Sequence, residues 1–182
     1  GGETGVRQVR CLSGNAVWEA VANGTIDEGL LQAAVVPLES SPVKRGNRSL
    51  MELAKEPTAM IVDYRDGFRA SVVTLNGAVN EWSVAWHEDG KTKATMFWTQ
   101  EARPFMHFTY LVKGTEQMFN TGKPSWPADR TLYTSAILDA ALISLKRGGA
   151  AVSTPYLDIP YYSNWDWQQP PPPPAGRPIH EK

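Results

Sequence analysis

The sequence predicts an α+β domain in two layers, in which a largely antiparallel β-sheet carries long helices packed on one face. Three observations predict this fold. Four strand-like runs between residues 58 and 99 are separated by Asp-Gly or Asn-Gly dipeptides, and two long segments with helical periodicity follow them. In addition, 42% of the 182 residues are apolar, which is enough to bury the core of a single domain.

The tight turns of the predicted sheet are marked by three dipeptides, Asp66-Gly67, Asn76-Gly77 and Asp89-Gly90. Residues of these types readily adopt the positive φ angles that a type I′ hairpin turn requires. The flanking runs are rich in β-branched and aromatic residues, which favour strands. We therefore expect one antiparallel meander of four strands, over residues 58–65, 68–75, 79–88 and 91–99.

Aromatic residues are concentrated on one face of the predicted third strand. Because side chains alternate between the two faces of a strand, Trp82, Val84 and Trp86 share a face. Apolar residues also occur on both sides of the neighbouring strands. This pattern indicates that helices cover one face and a partner covers the other; the alternative is that the strands are simply well buried. Trp82, Trp86 and Trp98 are therefore candidates for a sheet interface.

The chain before the meander contains a strand, short helices and a loop. Residues 6–12 alternate in polarity and predict a strand that joins a sheet elsewhere. Asn15 and Asp27 are residue types that cap helix N-termini. Residues 37–48 combine prolines, serines and basic residues, which is typical of an exposed loop. The predicted helices cover residues 15–21, 27–35 and 49–55.

Two longer segments after the meander change to a period of about 3.6 residues, which predicts helices over residues 104–121 and 127–147. Pro104 suits the first turn of the first helix and Gly122 its end. Each segment carries one apolar stripe, and we expect both stripes to pack on one sheet face. They comprise Phe105, Phe108, Leu111, Val112, Met118 and Phe119 in the first helix, and Leu132, Ala136, Ala140 and Ile143 in the second.

The overall composition weighs against several classes of protein. The formal net charge of −1 disfavours nucleic-acid and membrane-surface binding, which depend on an excess of basic residues. No run approaches the ~18–20 apolar residues of a membrane span, and we expect a cytoplasmic location. Cys11 is the single cysteine, which excludes an internal disulfide and a cysteine-based metal site. We expect Cys11 to be a small buried hydrophobic residue.

The end of the chain has a different composition. From Tyr156 it is rich in Tyr and Trp, and it then runs into Pro170–Pro174, which favours polyproline II. This tail is either a docking peptide for an aromatic groove or a solvated tail whose aromatic lead-in packs on the domain. We divide the chain into a domain over residues 1–155 and a tail over residues 156–182.

Three stretches follow one another in an order and spacing that characterise a known family. Pro57 to Val72 looks like a family hairpin that turns at a glycine, and Glu88 to Lys91 lies where the next tight turn is expected. Residues 108–149 are similar to an ending made of a helix, a Thr-Gly-Lys-Pro type loop and a last helix. The chain thus resembles the carboxy-terminal domain of the glucose-fructose oxidoreductase/inositol dehydrogenase/MocA family of NAD(P)-dependent sugar oxidoreductases.

The resemblance covers about residues 6–154. It implies a dihydrodipicolinate-reductase-like carboxy-terminal domain that shapes the substrate pocket and forms an oligomer interface through the open sheet face. In that family a Gly-rich dinucleotide loop, a Glu-Lys-Pro type lysine and an Asp-x-x-x-His helix lie upstream, and none of these patterns occurs in this sequence. We therefore expect a part of a longer protein that binds no cofactor alone, with NAD or NADP in the parent and an upstream nucleotide-binding domain as partner.

The titratable residues do not form a recognisable active-site pattern. His87, His107 and His180 lack metal-ligand spacing, and no serine lies in a nucleophile elbow. We assign no catalytic, cofactor-binding or metal-binding residue to this chain. His107, with Arg103 and Tyr110 nearby, is a candidate for contact with a sugar-like substrate in the cleft towards the upstream domain; a hydrogen-bonded structural histidine is the alternative.

Two other functional interpretations are open. The tryptophans of the sheet would also suit a noncatalytic carbohydrate-binding module, because aromatic faces stack on sugar rings. A structural subunit that lends its sheet to a separate catalytic chain is the third possibility. Burial of the sheet tryptophans in a dimer would argue against a sugar platform on that face.

Overall fold

The computed structural model describes residues 2–39, 41, 48–97 and 106–162. Over these residues the chain has an α+β fold with antiparallel strands, as predicted. A short 3-10 helix at Pro155–Leu157 precedes the last strand. The strands are β1 (Gly2–Glu3), β2 (Val6–Ser13), β3 (Thr58–Tyr64), β4 (Arg69–Thr74), β5 (Trp82–Glu88), β6 (Lys91–Phe97), β7 (Val152–Ser153) and β8 (Tyr161–Tyr162). The helices are α1 (Asn15–Ala22), α2 (Glu28–Val35), α3 (Leu50–Leu53), α4 (Met106–Thr121) and α5 (Ala128–Lys146).

The main sheet has the strand order β4-β3-β2-β7, and all neighbouring strands are antiparallel. The predicted strand at the start of the chain is β2, which joins the sheet beside β3 with Val9 opposite Val62. The hairpin of β3 and β4 turns at Asp66-Gly67, as predicted. Gly67 has a φ angle of +91°, and the Asp66 side chain accepts a hydrogen bond of 2.9 Å from the Phe68 amide.

The prediction of one continuous meander is wrong, because β5 and β6 form a separate two-stranded sheet. A turn does form at Asn76-Gly77, with Gly77 at a φ angle of +81°, but it does not join paired strands. Leu75 and Ala78 are buried beside it, and the Ala78 amide donates to the Leu75 carbonyl at 3.0 Å. Burial of these two apolar residues directs the chain towards the helices, away from β4.

Helices lie on both faces of the main sheet, so the predicted arrangement with helices on one face is also wrong. On one face Val62 lies in a buried cluster with Tyr133 and Ala140 of α5. On the other face Ile61 lies in a buried cluster with Val17 of α1. Successive residues of β3 point to opposite faces, and its buried residues on both sides require a cover on each.

The two long helices differ in how they pack. Helix α5 covers β2, as the buried residues Tyr133, Ala140, Ala141 and Ser144 indicate. Helix α4 has the predicted extent, but its apolar stripe stays uncovered within the described part of the chain: Phe108, Leu111, Val112 and Phe119 are half exposed or more. The expectation that both stripes pack on one sheet face therefore holds only in part: α5 packs on the sheet through Ala136 and Ala140 of its predicted stripe, whereas Leu132 of that stripe is 43% exposed.

Of the two helix caps predicted from the sequence, one is confirmed and one is wrong. Asp27 caps α2 by accepting a hydrogen bond of 2.8 Å from the Leu30 amide. Ser49 and Glu52 form a capping box at α3. The predicted cap at Asn15 is wrong, because Gly14 occupies the N-cap position and the Asn15 side chain instead donates to Glu19 at 2.7 Å.

The two ends of the described chain lie side by side. Strand β1 pairs with β8, with Gly2 opposite Tyr162 and Glu3 opposite Tyr161. Leu157 is fully buried in the cluster beneath α5, so the start of the predicted tail packs on the domain. Residues 163–182, which include the proline run, lie outside the described residues.

Candidate functional site

The hairpin of β5 and β6 is the best candidate for a functional surface. Its turn has both central residues at positive φ, +52° at Asp89 and +70° at Gly90, as a type I′ turn requires. This turn sets the register of the whole hairpin, from Glu88 opposite Lys91 to Trp82 opposite Phe97. One face of the hairpin packs on α2 and the other faces outward.

The inner face carries small side chains, which let α2 approach closely. Ala85 lies opposite Ala94, and Ser83 lies opposite Met96. Met96 packs against the buried cluster to which Leu31 and Val35 of α2 belong. This contact, together with the residues that link β4 to β5, fixes the hairpin on the helix layer.

A polar contact completes the inner face near the turn. Nε2 of His87 lies 3.3 Å from Oδ2 of Asp27, the residue that caps α2. Nδ1 of His87 lies 3.1 Å from the Thr92 hydroxyl, so both ring nitrogens have a partner. The hydrogen bond from the Leu30 amide and then that from His87 lower the pKa of Asp27 below its usual value. His87 thus joins the hairpin to the helix.

The outer face, which we call the rung face, consists of four cross-strand pairs. These pairs are Trp82 with Phe97, Val84 with Thr95, Trp86 with Lys93, and Glu88 with Lys91. The apolar members are well exposed for residues of their type: Trp82 is 54%, Phe97 47%, Val84 45% and Trp86 37% exposed. Contiguous apolar surface of this kind on a folded domain marks an interaction site more often than scattered apolar residues do.

The end of the rung face far from the turn is aromatic, and the end near the turn is charged. At the aromatic end the ring centroids of Trp82 and Phe97 are 6.4 Å apart, with an angle of 30° between the rings. At the charged end Lys93 forms an ion pair with Glu88, and Nε1 of Trp86 donates to the same carboxylate at 3.4 Å. The hydrogen bond from Lys93, followed by that from Trp86, lowers the pKa of Glu88. Glu88 is therefore an anion at neutral pH.

The structure brings together two of the three predicted interface tryptophans. Trp82 and Trp86 lie on the rung face as predicted, whereas Trp98 lies outside the described residues. Phe97 and Lys93 belong to the same face and were missed. The Asp89-Gly90 turn was the signal that could have found them, because a two-residue turn fixes which residues lie opposite each other.

The predicted substrate contacts are not located by the structure. Arg103 lies outside the described residues. His107 and Tyr110 lie in the first half of α4, and their side chains are outside the described part. None of the described helices is both long enough and apolar enough to cross a lipid bilayer, and the described residues contain no cluster of three or more His, Cys, Asp and Glu side chains suited to a metal ion.

A second polar cluster lies inside the main sheet and ties three strands together. Oδ1 of Asp63 accepts a hydrogen bond of 2.6 Å from Nε of Arg69 on β4, and Oδ2 accepts one of 2.7 Å from the Gln8 side chain on β2. Burial raises the pKa of Asp63, but these two hydrogen bonds and the charges of Arg69 and Arg7 outweigh burial and lower the pKa. Each oxygen of the carboxylate has a partner, which is the arrangement of a structural ion pair.

No family model, curated protein or solved structure matches this chain. The assignment of the rung face as a functional surface therefore rests on its geometry alone. It has an exposed aromatic end, a charged end and a fixed attachment to α2.

Proposed function

We propose that this chain is the substrate-pocket and oligomerisation domain of an NAD(P)-dependent sugar-type oxidoreductase. The nucleotide-binding half of the parent lies upstream and supplies the cofactor site and the catalytic helix. The proposal combines the resemblance of residues 6–154 to the carboxy-terminal domain of that oxidoreductase family with the surfaces that the fold leaves uncovered. A dihydrodipicolinate-reductase-like topology and a cytoplasmic location are part of the same proposal.

The main structural support for the proposal is the exposed apolar stripe of α4. Phe119 is 78% exposed, Val112 62% and Leu111 50% along the same helix. Full burial of a side chain of this size contributes about 1.5–3 kcal/mol, so a partner that covers the stripe gains substantial free energy. An upstream domain packed on α4 would bury these residues.

The proposal assigns the candidate substrate contacts to the cleft between α4 and the upstream domain. His107 and Tyr110 are in the first half of α4, and Arg103 immediately precedes this helix in the sequence. In the proposed parent they contact hydroxyl groups of a sugar-like substrate, while the residues that perform hydride transfer come from the upstream half. The chain itself holds no catalytic residue in this proposal.

The test starts from the gene. The reading frame upstream of Gly1 is sequenced from the source DNA, and the intact mass of the natural product is measured. We expect a longer protein with a Gly-rich strand-turn-helix and an Asp-x-x-x-His helix. We also expect the 182-residue chain alone to show neither binding nor reduction of NAD⁺ or NADP⁺ with a panel of sugars and polyols, and the natural product to reduce one of them.

Two results would contradict the proposal: dinucleotide turnover by the 182-residue chain alone, or a natural product that begins near Gly1 and has no nucleotide-binding partner. Within the natural product, His107→Gln should raise KM for the sugar while KM for the dinucleotide stays unchanged. Thr131→Val, at an exposed position of α5, is the matched control and should change neither constant.

A noncatalytic carbohydrate-binding subunit is the second candidate, and it is favoured by a specific observation. Trp82 and Trp86 present their side chains on one outward face, four residues apart along one strand. Exposed aromatic rings on a rigid strand suit stacking against sugar rings. Titration of the chain with soluble oligosaccharides, followed by tryptophan fluorescence, tests this function. A saturable change that Trp82→Ala abolishes supports it, and an unchanged signal for the unmodified chain rules it out.

A further inference from the structure

We infer that the rung face binds the rung face of a second copy of this chain, across a two-fold axis that runs parallel to the strands. This inference deepens the proposed function, because it names the partner and the geometry of the oligomer interface. It rests on the chemistry of the four rungs, which the register of β5 and β6 defines.

Each rung pairs groups that attract each other when they meet across a dimer interface. A two-fold axis between two facing sheets and parallel to their strands places β5 of one copy over β6 of the other. Trp82 then lies over Phe97 of the second copy, Trp86 lies over its Lys93, and Glu88 lies over its Lys91. These contacts are aromatic–aromatic, cation–π and ionic, all of which are favourable.

The other simple two-fold arrangement is less favourable. An axis that lies in the interface and runs perpendicular to the strands would place β5 over β5 with its ends reversed. Glu88 would then lie over Trp82, and Lys91 over Phe97 of the second copy. The Glu88 carboxylate, which is paired with Lys93 of its own chain, would lose water against the indole ring without gaining a partner in the second copy, which is unfavourable. Only the contact of Lys91 with Phe97 would be attractive, and the ionic contact between Glu88 and Lys91 of the second copy would be absent. Both arrangements are isologous, and the order of residues along the rungs favours the axis parallel to the strands.

The area of the rung face sets the strength of the contact. Aromatic side chains bury about 150–250 Å² each when fully covered, so its half-exposed aromatic residues and Val84 present roughly 300–400 Å² of apolar surface. The polar residues Thr95, Lys93, Glu88 and Lys91 extend this area. Stable interfaces bury about 800 Å² on each partner, and weaker reversible ones bury less. We therefore expect dissociation in the micromolar range.

Self-association of the full 182-residue chain is measured by sedimentation equilibrium between about 1 and 200 µM. Trp82→Ser should weaken the dimer by about tenfold or more. Glu88→Lys and Lys91→Glu should each weaken it, because each places like charges opposite each other across the axis. Lys113→Glu, at an exposed position of α4, is the charge-reversal control and should leave the dimer unchanged.

Mixing the two charge-reversal variants gives the decisive result. One chain then carries two lysines in the last rung and the other carries two glutamates, so both contacts across the axis become attractive. An equimolar mixture should regain association that neither variant shows alone. Altered stability of the hairpin within one chain cannot produce this recovery, because each chain keeps its own like-charged rung.

A monomeric unmodified chain over the whole concentration range would overturn the inference. So would a dimer that the three hairpin variants leave unchanged, or a mixture of the two charge variants that stays monomeric. These readouts are independent of any redox assay, so failure of the interface and failure of the proposed oxidoreductase function are distinguishable.

Discussion

Nε2 of His87 on β5 lies 3.3 Å from Oδ2 of Asp27, the carboxylate that caps α2. One carboxylate thus serves two structures: Oδ1 accepts from the Leu30 amide at the start of the helix, and Oδ2 contacts the hairpin. The aromatic rung face is held in a fixed orientation because its inner side is joined to a helix N-terminus. Asp27, which the sequence predicts as a helix cap, therefore also helps to position the rung face.

Two substitutions of Asp27 should separate the cap from the contact with His87. Asp27→Ala removes both and should lower the free energy of unfolding by about 1 kcal/mol, the usual effect of losing an N-cap. Asp27→Ser keeps a capping oxygen but removes the carboxylate, and its effect should stay below about 0.5 kcal/mol because the pair is exposed. Urea denaturation at neutral pH provides both values.

His87→Ala provides the control for this assignment. It should destabilise the unmodified chain slightly and have no further effect in the Asp27→Ser background, as a double-mutant cycle reports. Because the pKa of Asp27 is lowered in the folded state, the stabilisation is present above the carboxylate pKa of the unfolded chain. It is lost as the pH falls through the lowered folded pKa. Equal effects of Asp27→Ala and Asp27→Ser would contradict the capping role.

The buried carboxylate of Asp63 should matter more for stability. Asp63→Asn leaves Arg69 without its ion-pair partner, and we expect a loss of about 2 kcal/mol at neutral pH, typical of hydrogen bonds to charged groups. The folded-state pKa of Asp63 is lowered, so its stabilisation is present above the unfolded pKa and disappears as the pH falls through the folded pKa. The stability difference between Asp63→Asn and the unmodified chain should therefore shrink in acid.

Thermal unfolding at several pH values tests this expectation. Asp129→Asn is the control: Asp129 lies in the first turn of α5, outside the sheet, and the effect of its substitution should be smaller at neutral pH. A difference between Asp63→Asn and the unmodified chain that is the same at neutral and acidic pH would show that the charge of Asp63 does not contribute.

How far the sequence predicts this fold depends on the range of the interactions involved. The Asp89-Gly90 dipeptide specifies a type I′ turn locally, and the register of the whole rung face follows from it. The Asn76-Gly77 dipeptide also forms a turn, yet the meander ends there because Leu75 and Ala78 are buried against residues of α2 and α3. Local turn chemistry cannot report such a distant competing contact.

The helices illustrate the same limit. Periodicity predicts both long helices to within two residues at each end, because it is a local property. It does not predict which stripe is covered. In α5 the buried face is lined by small residues such as Ala140 and Ala141, while Leu138 and Leu142 on the same helix remain exposed. Close approach to β2 favours small side chains there, which a rule based on hydrophobicity alone misses.

Beside β2, the hydroxyl of the buried residue Ser144 accepts a hydrogen bond from a backbone amide that has no neighbouring strand at this position among the described residues. The Ser144 hydroxyl accepts a hydrogen bond of 2.8 Å from the Cys11 amide and donates one of 2.7 Å to the Ala150 carbonyl. Ser144→Ala leaves the buried Cys11 amide without its partner, removes the hydrogen bond to the Ala150 carbonyl, and should lower the free energy of unfolding by about 1–3 kcal/mol. Ser135→Ala, on the exposed side of the same helix, is the matched control and should have an effect near zero. Similar effects of the two substitutions would contradict this role.

The close approach of Gly149 to Leu12 permits a test of packing at the end of α5. Gly149 has a φ angle of +87°, and a Cβ atom there would lie 2.7 Å from Cδ2 of Leu12. Gly149→Ala should therefore combine backbone strain with a clash. Gly148→Ala is the matched control, because Gly148 also has a positive φ angle of +68° but nothing lies within 4 Å of its Cβ position.

Backbone strain alone should make Gly148→Ala less stable by about 1–2 kcal/mol, and Gly149→Ala should lose about 1–3 kcal/mol more, the usual effect of overpacking a core. Chemical denaturation of both variants measures the difference. In the Leu12→Ala background the effect of Gly149→Ala should be smaller, as a double-mutant cycle reports, because the shorter side chain removes the atom that the new Cβ meets. If Gly148→Ala and Gly149→Ala prove equally unstable, the contact with Leu12 has no influence, and the glycine is required for its backbone conformation alone.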